Sequence, residues 1–210
     1  MRVCILGYSL SSLTLAKALV NQKINVDLFA QNKSIKINNT RTIGISKKNL
    51  EFFKKKIINI DRNVWKINRI EIFSDNLKNE KLLDFENNNS YLFSIIKNIE
   101  LNEKLKKSLL NDKYFLKKNN NLDKVKFENY DLIINTDYNN FLTKKFFNKK
   151  IIKKYNSVAF STTIKHEKIS NNVAVQIFTK NGPLAFLPMS NNETSIVYSV
   201  KKSTDTSRGN

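Results

Sequence analysis

Residues 2–20 read Arg2-Val3-Cys4-Ile5-Leu6-Gly7-Tyr8-Ser9-Leu10-Ser11-Ser12-Leu13-Thr14-Leu15-Ala16-Lys17-Ala18-Leu19-Val20. The apolar run over 2–6, with its β-branched Val3 and Ile5, predicts a strand that Gly7 ends. Helical spacing follows: Leu15, Ala18 and Leu19 share one stripe, with Lys17 and Asn21 off it. Asn21-Gln22-Lys23 breaks the helix. Ile24, Val26 and Leu28 then alternate with Asn25 and Asp27, which predicts a second strand. Strand, tight turn, helix and strand within about thirty residues form a βαβ unit, which should be right-handed and lie in a parallel sheet.

A βαβ unit of this kind often holds a dinucleotide at its first turn, through glycines at three places: the turn, the approach to the pyrophosphate and the helix–strand contact. Here those places hold Gly7, Ser9 and Ser12. The serines are small and their hydroxyls can donate to a phosphate, but each adds a Cβ where backbone normally meets ligand. The acid that would hold a ribose hydroxyl at the end of the second strand is absent. Ala30 and Gln31 stand there, and Gln31 offers a weaker hydrogen bond than a carboxylate. The stretch alone suits a nucleotide-binding turn and a plain α/β core element equally.

With 210 residues, the chain is long enough for a sizeable core in one domain or two small ones. Lys and Arg number 37 against 18 Asp and Glu, a net charge of +19. Such a charge suits nucleic acid or an anionic membrane. However, the lysines are spread along the whole chain among Asn and Ile, and arginine, the better reader of bases, is scarce. A specific nucleic-acid interface is therefore not expected. Cys4 is the one cysteine, so no disulfide forms within the chain, and a reducing, cytoplasmic setting follows. No apolar run approaches the roughly 20 residues needed to span a bilayer. Serines interrupt the N-terminal apolar stretch, which argues against a signal peptide. His166, the single histidine, lies between Lys165 and Glu167 in a polar stretch and is read as exposed. Without a Cys/His cluster no metal site is expected.

With four glycines and two prolines, asparagine clusters make most of the turns. Residues 32–40 read as a polar loop. Ser46 can cap a helix over 47–56, with Leu50, Phe53 and Ile57 inward. Residues 64–73 and 81–85 read as an antiparallel strand pair, and Leu101, Leu105, Leu109 and Leu110 mark a helix. Residues 113–116 and 124–127 suit short strands. Residues 130–135 (Tyr130-Asp131-Leu132-Ile133-Ile134-Asn135) read as a buried parallel strand, with a short aromatic helix over 141–147. From 156 onward the pattern is strand throughout, at 158–164, 173–178, 184–189 and 194–200, spaced like an antiparallel meander. Residues 202–210 form a polar tail. Trp65 reads as core or domain-interface packing. The expected fold class is α/β: a Rossmann-like dinucleotide-binding domain over 1–62 and 91–152, interleaved with an antiparallel-sheet domain over 63–90 and 153–201.

Several stretches together resemble one family. They are the turn at Gly7, Arg41-Thr42-Ile43-Gly44-Ile45-Ser46 ahead of a helix, and Leu132-Ile133-Ile134-Asn135-Thr136-Asp137 at a strand end. The most specific match is Ala174-Val175-Gln176-Ile177-Phe178, then Gly182-Pro183-Leu184-Ala185-Phe186-Leu187-Pro188-Met189, then Ser195-Ile196-Val197-Tyr198-Ser199. These resemble the FAD-dependent aromatic-ring hydroxylases of the p-hydroxybenzoate hydroxylase fold, most closely those of ubiquinone biosynthesis. Ser9, Ser12 and Ala30 depart from the family pattern, as does Tyr138 where glycine follows the aspartate. The family's chains are about twice as long, with a later Gly-Asp segment that closes over the flavin. That segment does not occur in these residues, so the resemblance implies a shortened form of the fold.

The resemblance implies FAD and NAD(P)H as cofactors and hydroxylation of an aromatic ring by reduced flavin and oxygen, with no catalytic side chain demanded of the protein. Gly7, Ser9, Ser12 and Gln31 would meet the dinucleotide, and Arg41 would pair with its pyrophosphate or steady the flavin edge. Asp137, at a strand's carboxyl end, would join them; the same position also suits a cap for a helix over 139–146. Gly182, Pro183 and Leu184 would shape the substrate wall, or simply enter a strand. The implied substrate is a lipid-tailed polyprenyl phenol, met peripherally at the inner face of an anionic membrane and within a multiprotein ubiquinone-biosynthesis assembly. The rival readings are a non-catalytic binding or accessory relative that has lost the flavin, and a fragment, the N-terminal part of such a hydroxylase, whose missing C-terminal half completes the site. On the departures at Ser9, Ser12 and Ala30, FAD is expected to bind weakly.

Overall fold

The computed structural model describes residues 1–30, 40–77, 80–87, 90–119, 125–147, 149, 151–153 and 155–201. In chain order its elements are β1 (Arg2–Leu6), α1 (Leu10–Val20), β2 (Asn25–Ala30), β3 (Thr42–Ser46), α2 (Lys47–Phe52), β4 (Trp65–Ile67), β5 (Arg69–Ser74), β6 (Lys81–Glu86), β7 (Phe93–Lys97), α3 (Asn98–Leu110), β8 (Phe115–Asn119), β9 (Leu132–Asn135), α4 (Phe141–Phe146), β10 (Ser157–Lys165), β11 (Val173–Thr179), β12 (Gly182–Ser190) and β13 (Glu193–Lys201). They cluster into two units. The first holds residues 1–38, 48–63 and 98–151, and the second 39–47, 64–97 and 152–210.

The first unit is built on a parallel sheet in the order β8-β2-β1-β9. Its central strands β1 and β2 are buried on both faces, as parallel strands under helices must be. On one face Cys4, Leu6 and Phe29 pack against Val125, Phe127, Tyr130 and Leu142. Val3, Ile5, Val26 and Leu28 alternate to the other face and are all buried. α1 packs on β1, β2 and α3, and its Leu13, Ala16 and Val20 are buried with Leu101, Leu105 and Leu109 of α3. Of the strand expected over 124–127, residue 124 lies outside the described residues, and 125–127 do not form a strand. Phe127–Asn129 is a 3-10 turn, because Phe127 and Tyr130 are drawn onto the Cys4–Phe29 cluster. The helix expected over 47–56 keeps α-geometry only to Phe52 and widens into a π-turn over Phe53–Ile57, which sits against α1.

The second unit holds a six-stranded sheet in the order β10-β13-β12-β11-β5-β6 and a three-stranded sheet in the order β3-β7-β4. Pairing is antiparallel except between β11 and β5. Ile67, Ile95 and Ala174 form the core between the sheets, with Trp65, Ile70, Phe93, Leu187 and Met189 around them. Trp65 belongs to this core and donates its indole N–H to the Asn171 carbonyl at 2.5 Å.

Three expectations change here. The run over 64–73 is two strands in different sheets, divided at Asn68, whose backbone pairs with Asn172 and Asn87. The segment over 41–46 is itself largely a strand, and it pairs with β7, so residues 39–47 and 91–97 fall in the second unit and not the first. Finally, the last four strands are not a simple meander: β10 pairs with β13. The connection from β10 to β11 crosses the end of the β12–β13 hairpin. There His166 and Ile169 donate backbone N–H groups to Asn192 and Asn191, and the Asn171 amide donates to the Ser190 carbonyl at 2.7 Å. His166 is half-buried in this crossing, its Nε2 3.0 Å from the Thr194 hydroxyl.

Candidate nucleotide-binding turn

The carboxyl ends of parallel strands are where α/β sheets hold ligands, and β1 and β9 end side by side at Gly7 and Thr136. Gly7 has φ +121°, a backbone region that side chains disfavour. A Cβ there would also land on the Thr136 hydroxyl. That hydroxyl donates to the Leu6 carbonyl at 2.8 Å and lies 2.7 Å from the Ser12 hydroxyl. The glycine is therefore required by Thr136, inside the protein.

Ser9 is the N-cap of α1 and forms a capping box with Ser12. The Ser12 N–H donates to Ser9 Oγ at 3.3 Å, the Ser9 N–H donates to Ser12 Oγ at 3.0 Å, and the two hydroxyls are 3.0 Å apart. Ser12 is fully buried. The hydroxyls expected to meet a phosphate are thus turned onto each other and onto Thr136. Among the described residues, the N–H groups of Leu10 and Ser11 take no partner and remain open at the positive end of the helix dipole. No acidic residue lies in the first turn of α1.

Asp137 continues the same corner. Its carboxylate accepts from the Asn139 N–H at 3.0 Å, and its carbonyl accepts from the Asn140 N–H and the Thr143 hydroxyl. The cap of α4 is Asn140, whose side chain accepts from the Leu142 N–H at 2.8 Å. Of the residues singled out from sequence, Gly7, Ser9, Ser12 and Asp137 belong to the first unit, with Thr136 linking Gly7 and Ser12. Gln31 lies outside the described residues. Arg41 is exposed ahead of β3, in the second unit with Gly182, Pro183 and Leu184. Gly182 opens β12 at φ +138°, and a Cβ on it would strike the Ser199 carbonyl.

Sequence reasoning missed two features of the first unit. On α3, Asn98 and Asn102 keep buried amide oxygens without a partner. Neither carries a sequence signal beyond its one-turn spacing. The other is Asp27, only 4% exposed in the middle of β2. Its Oδ2 accepts from Arg2 at 2.8 Å, Tyr130 at 2.6 Å and Lys118 at 2.8 Å. Burial pushes its pKa up, but hydrogen bonds from Lys118 and Tyr130 and the charges of Lys118 and Arg2 outweigh this and hold the carboxyl below its usual range. Burial, then the bond to Asp27 and its charge, pushes the Tyr130 phenol well above its ordinary value. Burial and the charge of Asp27 push the neighbouring Cys4 thiol up to about 12, against the opposing charge of Lys118. Among the described residues, no group of His, Cys, Asp and Glu could hold a metal, and no helix is long and apolar enough to cross a membrane.

No protein-family model and no curated protein matches this chain. Solved structures do. PqsL of Pseudomonas aeruginosa, described as "a probable FAD-dependent monooxygenase", superposes with a TM-score of 0.73 at 11% identity, over 96% of this chain and 60% of that one. HpxO of Klebsiella pneumoniae, in complex with FAD and uric acid, gives 0.72 at 12% identity, over 99% and 58%. CtdE, in complex with FAD and a substrate, gives 0.73 at 14% identity, over 99% and 59%. The chain has the fold of the FAD-dependent monooxygenases: a parallel-sheet unit interleaved with an antiparallel-sheet unit. It spans about three fifths of the length of these neighbours. The likeness is to the monooxygenase fold broadly and does not single out the ubiquinone-biosynthesis hydroxylases.

The open Leu10 and Ser11 amides are the part of the first unit that suits an anionic diphosphate. The Ser9–Ser12 box removes two further amides that an open glycine turn would offer.

Proposed function

We propose that this chain is an FAD-dependent monooxygenase that hydroxylates the ring of a polyprenyl-phenol intermediate of ubiquinone biosynthesis, with NAD(P)H as reductant. The observation that carries the flavin part is the Gly7 turn. It stands at the carboxyl end of the parallel sheet, in a fold whose solved neighbours include FAD complexes. The substrate part rests on the segments quoted from the sequence, above all 174–199. Bound FAD would supply the oxygen chemistry. The protein's own share would be positioning: the Leu10 and Ser11 amides would face the diphosphate, and Gly7 lets β1 turn tightly beside Thr136. Arg41 is proposed as a cofactor contact, and Gly182, Pro183 and Leu184 as substrate contacts. The net charge of +19 would favour a peripheral position on an anionic membrane, where a lipid-tailed phenol resides.

The closed Ser9–Ser12 box favours a second reading, a relative that kept the fold as a binding or accessory protein and lost the flavin. One experiment separates the two. The purified chain is incubated with FAD, NADPH or NADH, oxygen and a polyprenylated phenol in anionic vesicles, and the phenol is weighed by mass spectrometry. The first reading predicts gain of one oxygen atom by the ring, dependent on FAD. Reductant consumption without hydroxylated phenol would reject the substrate, and absence of any flavin-dependent turnover would favour the second reading.

A further inference from the structure

Between Asp137 and Glu167 the chain carries seven lysines, no arginine and no acid. Six of these lysines fall over 144–154, among Phe146, Phe147, Ile151, Ile152 and Tyr155. Elsewhere several lysines meet carboxylates: Lys17 pairs with Asp112, Lys97 with Glu193 and Lys118 with Asp27. Lys144, Lys145 and Lys149 form no ion pair among the described residues, and Lys145 lies 5.5 Å from the ring of Phe146 beside it. α4 is held at its start, where Asn140 caps it and Leu142 packs on the Cys4–Phe29 cluster. The chain then leaves that cluster. Phe146 and Phe147 are 67% and 63% exposed, and Ile151 is exposed completely. Apolar side chains this open, and this close together in the chain, mark a contact surface and not a core.

We infer that Lys144, Lys145, Phe146, Phe147, Lys149 and Ile151, all in the first unit, form a docking segment for an anionic lipid bilayer. The ammonium groups meet lipid phosphates, and the three apolar side chains enter the boundary between headgroups and acyl chains. The inference rests on the peripheral membrane position proposed above, to which it gives a place on the chain, and is independent of the flavin. Charge complementarity selects the partner. A lysine near an anionic bilayer raises affinity roughly fivefold, and no acid in the segment offsets that attraction. A charged or an apolar signal alone gives only marginal, reversible binding, so each half of the segment needs the other. Nucleic acid fits less well. Phenylalanine can stack on bases, but a fully exposed isoleucine gains nothing there, and arginine, the better reader of phosphate and bases, is absent from the stretch.

The test uses the full chain in roughly 0.1 M salt, where charges act over about 10 Å. Sedimentation is measured with vesicles of phosphatidylcholine alone and of phosphatidylcholine mixed with phosphatidylglycerol. The chains compared are the native one, Phe146→Ser/Phe147→Ser/Ile151→Ser, Lys144→Gln/Lys145→Gln/Lys149→Gln, and Lys55→Gln/Lys107→Gln/Lys113→Gln, which removes three exposed lysines elsewhere in the first unit. Thermal melts establish that each variant is folded. The native chain should bind the mixed vesicles and not the neutral ones. The serine variant and the first glutamine variant should each lose at least about tenfold in affinity, and the second glutamine variant about threefold or less. An environment-sensitive fluorophore on Ile151→Cys should shift to the blue on mixed vesicles, and one on Leu116→Cys, at the opposite edge of the sheet from β9, should not; buried Cys4 takes no label. Unchanged affinity in the serine variant, equal loss in the two glutamine variants, or no shift at Ile151→Cys would each overturn the segment and leave the peripheral position standing. No binding of the native chain to mixed vesicles would reject both. A single-stranded oligonucleotide bound more tightly than the vesicles, or a dimer in solution, either one lost in the serine variant, would assign the stretch to nucleic acid or to a second copy and overturn the inference. Vesicle binding through the segment in a chain that takes no FAD would uphold it and reject the flavin alone.

Discussion

The hydroxyls of Ser12 and Thr136 lie 2.7 Å apart and fasten the start of α1 to the end of β9, across the turn that Gly7 makes. The first consequence concerns Gly7 itself. Gly7→Ala should destabilise the chain by about 1–3 kcal/mol, from backbone strain at positive φ together with the collision with Thr136. Adding Thr136→Ala should recover the steric part and leave the backbone part. Gly182→Ala offers the contrast: its Cβ meets the Ser199 backbone carbonyl, which no side-chain truncation relieves. Urea denaturation of the single and double variants measures both. Full recovery in the Gly7→Ala/Thr136→Ala chain would show that backbone strain is absent.

Asp27→Asn should cost about 2 kcal/mol, because one buried oxygen serves Arg2, Lys118 and Tyr130. In a chain of this size that lowers the melting temperature by about 4–8 °C. The sign with pH follows from the depressed carboxyl. Its contribution is present above the ordinary carboxylate pKa of about 4 and is lost as pH falls through the lower folded value. The gap between native and Asp27→Asn melting should therefore close below about pH 4. A gap constant down to pH 2 would contradict it.

Much of this molecule was legible in its sequence because hydrophobic period is local. The βαβ unit, the parallel pairing of the strand ending at Asn135 and the antiparallel run after 156 could be read from spacing alone, but that strand, expected to be buried, is an edge strand of its sheet with Leu132 and Ile133 exposed. Asp27 shows the limit. Its polar side chain between Val26 and Leu28 looks like half of an ordinary alternation. It is buried because Arg2, Lys118 and Tyr130, distant in sequence, converge on it. Ser9 and Ser12 show another limit. Their spacing matches a phosphate fingerprint and a capping box equally well, and only Thr136, 124 residues from Ser12, decides which way the hydroxyls turn. The partner of β10 was hidden for the same reason, since loop hydrogen bonds from His166, Ile169 and Asn171 carry it past the nearer hairpin.

Stability should fall on the alkaline side. The folded chain keeps the Cys4 thiol protonated up to about 12 and holds the Tyr130 phenol above its ordinary value. The unfolded chain releases these protons from about pH 8.5 and about pH 10. The native state then binds more protons, so the unfolding free energy decreases as pH rises from about 9. Urea midpoints at pH 7.5, 9 and 10.5 should fall in that order, less steeply in Cys4→Ala. Equal midpoints would contradict the burial of both groups.

The dispersed lysines predict weak binding to DNA and to anionic vesicles, without sequence preference and lost with added salt. Tight, sequence-selective DNA binding in roughly 0.2 M salt, where non-specific contacts are weakened, would contradict this. Vesicle sedimentation across a salt series measures the membrane part.

The most direct measurement is an FAD titration, followed by flavin absorbance, of the native chain and of Ser9→Gly/Ser12→Gly. The capping box engages the Ser9 and Ser12 amides, and glycine at both places would return them to the turn, at a cost of only a few tenths of a kcal/mol at the Ser9 cap and of about 0.5–1 kcal/mol, together with the hydroxyl bond to Thr136, at Ser12 inside the helix. The native chain should bind FAD more weakly than micromolar, and the double glycine variant about tenfold or more tightly than the native chain. Stoichiometric FAD at micromolar or tighter affinity in the native chain, or no gain in the glycine variant, would contradict the account of a dinucleotide turn closed by its own serines.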